Sequence, residues 1–311
     1  MQNLSGSQSR FPTQILCALD LEGRAAPAVN AAIWLSERLG APLEIVHAFP
    51  PRPILWGQEE HMPEWVAGRE ATGRALRDTL RAIVAAAPTE LRLGADARQL
   101  RFYITSGHPV QVILEQARAS RADLIVLGPH KKRGWLDIGS TARGVLGHAS
   151  RGVWVQPETP RPVRRILAPI DLSPDSVHAL EVARDLAQAF EARVTVMLAF
   201  VPVVLGAYTP ADVAVGPDYV NERLRHDEAA HFEATVGAFD WRGVAHELRF
   251  EEGDPTACVL ALQDAHDLVV MGTHGRSGLS AALLGSVAHG VARSASIPVL
   301  ALRYPRPAYV L

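Results

Sequence analysis

Residues Met271 to Leu302 read MGTHGRSGLSAALLGSVAHGVARSASIPVLAL. Gly272, Gly275 and the pair Gly285-Ser286 stand in this stretch at the spacing G-x2-G-x9-G-S, after the apolar run Leu268 to Met271 and before a helix-like segment. The order is strand, glycine loop, helix start. Glycine lets a backbone take positive φ and come close to a ligand, and the free N–H groups that open a helix suit an anion. A phosphate group fits such a loop.

Outward from the loop, the preceding residues belong to a pattern the chain carries twice. Ile15-Leu16-Cys17-Ala18-Leu19-Asp20 returns as Ile166-Leu167-Ala168-Pro169-Ile170-Asp171, and Gly107-His108-Pro109 returns as Gly253-Asp254-Pro255. Ala122-Asp123-Leu124-Ile125-Val126-Leu127-Gly128 returns as His266-Asp267-Leu268-Val269-Val270-Met271-Gly272. Between the copies, Pro157-Glu158-Thr159-Pro160-Arg161-Pro162 reads as a stiff, proline-rich linker. One domain is written twice, with boundaries expected at 1–158 and 159–311, and a length of 311 residues at 48% hydrophobic suits two cores.

Within each copy short apolar runs alternate with helix-like segments. In the second, strands are expected at Ile166 to Ile170, Arg193 to Phe200, Ala245 to Phe250, Leu268 to Met271 and Pro298 to Leu302. Ser173, Pro174 and Asp175 supply an N-cap, a proline at the first helical position and a first-turn acid. Near-continuous apolar strands alternating with helices predict an α/β fold, two tandem doubly wound parallel-sheet domains of five strands in the order 3-2-1-4-5. Ligands of such sheets bind beyond the carboxyl ends of the strands, where the order reverses. Asp171 and Gly272 end the two strands that flank that reversal.

Composition excludes several classes. A formal net charge of −2 gives no electrostatic case for nucleic acid or membrane. The segment Met1 to Thr13 is polar, and no run approaches the roughly 18 apolar residues of a membrane span, so the expected location is cytoplasmic. Cys17 and Cys258 lie in apolar runs without a CxxC and read as buried, inert thiols. The histidines show no metal-ligand spacing, and no metal site is expected. Asp123 and Asp267, at the amino ends of their strands, read as turn or cap residues, and Glu251-Glu252 with Asp254 as acids complementing a helix dipole.

With these residues in place the chain resembles a tandem universal stress protein, from about Thr13 to Tyr304, on the G-x2-G-x9-G-S loop, the strand ending in Asp171 and the tail SVAHGVARSASIPVLAL. The resemblance implies the adenine nucleotide α-hydrolase-like fold and a bound ATP or other adenine nucleotide, with or without Mg²⁺. Residue by residue, it implies that Pro169 and Asp171 contact the adenosine part and that Ala199 is a small apolar adenine contact. Met271 and Gly272 would line the nucleotide, Gly275 would admit the phosphates, and Gly285, Ser286 and Val287 would donate to them. His274, inside the loop, is carried with the binding residues, although loop packing accounts for it better.

The first copy departs from that pattern. Asp20, Gly128 and Gly139-Ser140 remain, but Lys131 stands in place of the second glycine on a loop two residues shorter. Nucleotide binding is therefore expected in the second domain alone. The family also implies pairing of last strands, which here would join Val153-Trp154-Val155 with Val299-Leu300-Ala301 as an intrachain pseudo-dimer, open to further homodimerisation.

The function expected is that of a nucleotide-dependent sensor or regulator in stress response, working through an unknown protein partner. The alternative is a scaffold that binds partners without nucleotide. The sequence has no P-loop lysine after GxxxxG, no evident carboxylate pair for Mg²⁺ and no SGGxDS or HIGH-type signature. No catalytic residue is assigned, and slow ATP hydrolysis is the most expected of it.

Overall fold

The computed structural model describes residues 11–19, 25–49, 71–85 apart from 72, 80 and 84, 100–128, 139–203, 217–275 and 284–304. Asp20 and Lys131 lie outside the described residues. The chain divides into two compact units, the first built mainly of residues up to Pro160 and the second beginning at Arg161.

The first unit contains β1 (Ile15–Ala18), α1 (Ala26–Leu39), β2 (Leu43–Phe49), β3 (Arg101–Ser106), α2 (Pro109–Ala119), β4 (Leu124–Leu127), α3 (Ser140–His148) and β5 (Gly152–Val155). Its strands are parallel, in the order β3-β2-β1-β4-β5. The second contains β6 (Arg165–Pro169), α4 (Pro174–Phe190), β7 (Arg193–Phe200), α5 (Pro217–Gly237), β8 (His246–Glu252), α6 (Pro255–Leu262), β9 (Leu268–Gly272), α7 (Ser286–Ser294) and β10 (Val299–Leu302). Its order is β8-β7-β6-β9-β10, again parallel. Each is the 3-2-1-4-5 sheet expected from the alternation.

Strands β4, β5, β9 and β10 are buried along their length and carry no exposed residue, as in sheets covered by helices on both faces. On one face of the second sheet, Leu167, Met197, Val269, Met271 and Val299 pack with Val259 of α6 and Ala288 and Val291 of α7. Alternate residues of a strand share a face, so Pro169 and Ala199, each two positions further on, extend this apolar surface to the carboxyl ends.

Local signals do what their chemistry dictates. Ser173 caps α4 by accepting from Ser176 N–H, and Asp254 caps α6 by accepting from Ala257 N–H at 2.9 Å. Glu251 and Glu252 end β8, just ahead of the helix start, and Asp254 supplies its side-chain cap. Asp267 accepts from the N–H groups of Arg164 and Arg165 at 2.9 and 2.8 Å, and Asp123 does the same for Thr13 and Gln14. Both acids thus fasten the chain entering the first strand of their domain to the amino end of the fourth.

The two thiols differ. Cys17 is fully buried, and burial pushes it up to about 12. Cys258 is half-buried rather than buried, with its thiol raised by partial burial and by the Glu251 and Asp254 carboxylates. Among the described residues no helix is long and apolar enough to cross a membrane.

Thiolate is the reactive species, and both groups are held above their ordinary value, so neither is appreciably ionised at pH 8. Iodoacetamide at pH 8 should alkylate Cys258 slowly and Cys17 only after unfolding, as read by peptide mass spectrometry. Rapid modification of Cys17 in the folded protein would contradict its burial.

Candidate functional site

At the carboxyl ends of β6 and β9, where the strand order reverses, the second unit has a cavity of about 260 Å³. Pro169, Asp171, Ala199, Met271, Gly272, His274, Gly275, Gly285, Ser286 and Val287 all line it. Ile170, Ser176, Met197, Pro255, Val259, Thr273 and Ala288 complete the wall. Met197 shares a sheet face with Ala199, so alternation could have found it. Pro255 and Val259 come from α6, whose position over the crevice is a tertiary fact.

The floor and the rim differ in polarity. Met197, Met271 and Val259 are buried parts of the core cluster, so the floor is apolar and continuous with the domain's packing. At the rim Gly275 and Ser286 are exposed and Asp171 is half-buried. Such a division, an apolar body with a few placed polar groups, is the usual make-up of a small-molecule site.

The glycines are explained by what surrounds them. A Cβ on Gly272 would come within 2.9 Å of the Asp175 carbonyl carbon and 3.0 Å of Ser176 N. Only a residue without a side chain lets β9 run against the first turn of α4. A Cβ on Gly275 would lie 2.5 Å from Asp171 Oδ2, and one on Gly285 would lie 2.9 Å from the carbonyl oxygen of Thr273. Gly285 N–H donates to that same oxygen at 2.8 Å, closing the loop on its own start.

Asp171 is held by its own chain. Its Oδ1 accepts from Ser173 N–H at 3.0 Å and its N–H donates to Ser176 Oγ at 3.3 Å. Between Asp171 and the cap, Leu172 takes φ 63°, a left-handed conformation that costs a branched side chain about 1–2 kcal/mol. Strain of this kind persists where the surroundings over-determine the backbone, as at a ligand clamp.

The opposite wall is the start of α7. Gly285 is its N-cap, at φ −60° and ψ 147°, and offers no side-chain cap, whereas Ser173 and Asp254 cap α4 and α6. The opening N–H groups of a helix carry partial positive charge, and here they line a cavity. Behind the loop, His274 and Asp175 are buried, with His274 Nδ1 2.9 Å from Thr273 Oγ1 and 3.8 Å from Asp175 Oδ1. Asp175 Oδ1 also accepts from Tyr304 N–H at 3.0 Å.

The corresponding glycine of the first unit has another backbone. Gly139 takes φ 82° before α3, although the letters Gly-Ser are the same.

The family's model, described as the universal stress protein family, matches the chain twice, over residues 13–157 and 162–303. The chain belongs to the universal stress protein family. It is 27% identical over 308 residues to a universal stress protein of Mycolicibacterium smegmatis, covering 95% of this chain and 99% of the relative. A universal stress protein of Mycobacterium tuberculosis is 26% identical over 297 residues, covering 93% and 96%. A universal stress protein of Archaeoglobus fulgidus has a solved structure that matches with TM-score 0.62 at 16% identity, covering 94% of this chain and 96% of that one. That likeness shows the fold, two universal stress protein domains in tandem.

Gly272→Ala should destabilise the second domain by about 1–3 kcal/mol, because the obstructing atoms are backbone that cannot turn aside. Gly237→Ala, in α5 with nothing within 4 Å of the added Cβ, should be neutral or gain up to about 1 kcal/mol. Urea denaturation followed by circular dichroism reads both; equal effects would contradict the close-approach account.

Proposed function

We propose that this universal stress protein binds ATP, or another adenine nucleotide, in the cavity of its second domain and acts as a nucleotide-dependent sensor or regulator in stress response. The observation that carries the reading is the pairing of two unlike walls in one cavity. Asp171, close against Gly275 of the glycine loop, and the opening turn of α7 line one cavity with an apolar floor. A purine is flat and largely apolar, a ribose offers hydroxyl donors, and phosphates are anionic. Met197, Ala199, Met271 and Val259 suit the first, Asp171 the second, and Gly275, Ser286 and Val287 the third, whereas Gly285 N–H, expected to donate to a phosphate, is spent on the Thr273 carbonyl.

The reading is one of binding, with slow hydrolysis at most. Among the described residues no group of three or more His, Cys, Asp or Glu side chains could hold a metal ion. ATP bears the Mg²⁺ it brings on its own phosphates, and Asp171 is the carboxylate of the cavity wall. The output is a protein partner that distinguishes the filled from the empty domain, in the cytoplasm.

Equilibrium dialysis with labelled ATP tests this. The wild type should retain nucleotide. Gly275→Lys, which places in the second domain the residue type that the first holds at Lys131, should lose at least about tenfold in affinity, the worth of one or two charge-assisted bonds. Its Cβ also displaces the Asp171 carboxylate. Equal retention by both proteins, or none by the wild type, would remove the proposal.

A further inference from the structure

The loop's buried polar groups form a chain of their own. Arg303 Nη2 lies 3.4 Å from His274 Nε2, and His274 Nδ1 lies 2.9 Å from Thr273 Oγ1. Thr273 and His274 are both buried, and both line the cavity. Guanidinium nitrogens only donate, and the group stays protonated in proteins. Imidazole Nε2 beside Arg303 is therefore the acceptor, and the ring's proton sits on Nδ1.

This fixes the direction of the next bond. Nδ1–H donates to Thr273 Oγ1, so the hydroxyl is used there as an acceptor and keeps its own hydrogen. Among the described residues, Oγ1 meets no second polar atom at hydrogen-bond distance. With the opposite tautomer, Thr273 would spend its hydrogen on Nδ1 and turn only lone pairs to the cavity, which repel an anion. Thr273 also adjoins the start of α7, since its carbonyl oxygen accepts from Gly285 N–H at 2.8 Å.

We infer that Arg303 and His274 are positioning residues that set the Thr273 hydroxyl as a hydrogen-bond donor to a phosphate oxygen of the nucleotide. The inference rests on the nucleotide reading above and adds a donor to the phosphate wall. Arg303 touches no ligand in this account; it acts through the His274 tautomer. Asp175, 3.8 Å from Nδ1, lies on the side that favours a proton there.

Two readouts on the full chain test it. Imidazole ¹⁵N shifts of the ligand-free protein, with His274 assigned by the signal that His274→Asn removes, should show Nδ1 protonated and Nε2 not. Arg303→Met should release that preference. In dialysis, Thr273→Val and Arg303→Met should each weaken ATP by about tenfold and adenosine much less, and the double variant should lose no more than either single one. His274→Asn, which keeps an N–H near the Nδ1 position, should bind ATP better than His274→Gln. Nε2 protonation in the wild type, or ATP affinity unchanged in Thr273→Val, would overturn the inference while leaving ATP binding standing. A wild type that binds no adenine nucleotide would overturn both. Should Arg303→Met fail to fold, Thr273→Val and the wild-type tautomer still decide the matter.

Discussion

The second domain depends on the approach of β9 to the first turn of α4, where the place of a Cβ at Gly272 is 2.9 Å from the backbone of Asp175. A strand that ends this close to a helix start must turn away at once. It does so through Thr273, whose carbonyl receives Gly285 N–H, and so the beginning and end of the glycine loop are pinned together. The pinning brings α7 in with its opening N–H groups on the side of Asp171. Backbone contact thus closes the crevice at Gly272 and Gly285, and this is why those two positions are glycines.

Comparison of the two domains separates what the fold needs from what a site needs. Both copies keep the amino-end carboxylate, Asp123 or Asp267, bound to entering N–H groups, and both keep a glycine where the last two helices cross. A Cβ at Gly144 or at Gly290 would lie 2.6 or 2.8 Å from Val110 or Thr256. These features belong to the scaffold. The backbone at the helix entrance does not repeat, since Gly139 is left-handed and Gly285 is extended. The repeat therefore conserves the sheet while the glycine before the last helix takes a different backbone in each copy.

Much of this was legible in the sequence. The alternation of strands and helices and the helix starts follow from local signals, apolar runs, an N-cap serine before proline and glycines at fixed spacing, while the cavity-lining roles of Pro169, Ala199, Met271 and Val287 come from the family resemblance. Thr273, Ser176 and Pro255 were not, because their place in the wall depends on elements brought together only by folding. The expected strand stopped at Phe250, two residues short of the end of β8, because β8 is an edge strand with mostly exposed residues and its end carries no hydrophobic alternation. The half-burial of Cys258 was hidden for a related reason, α6 being a short and uniformly apolar helix without a distinct buried stripe.

The central claim is that the cavity between Asp171 and α7 holds an adenine nucleotide. Photolabelling with 8-azido-ATP and peptide mapping addresses it directly, because the reactive group sits on the base. The account predicts label on the peptides carrying Met197 and Ala199 or Pro255 and Val259, abolished by excess ATP. Label confined to residues 13–157, or label that ATP does not displace, would contradict it.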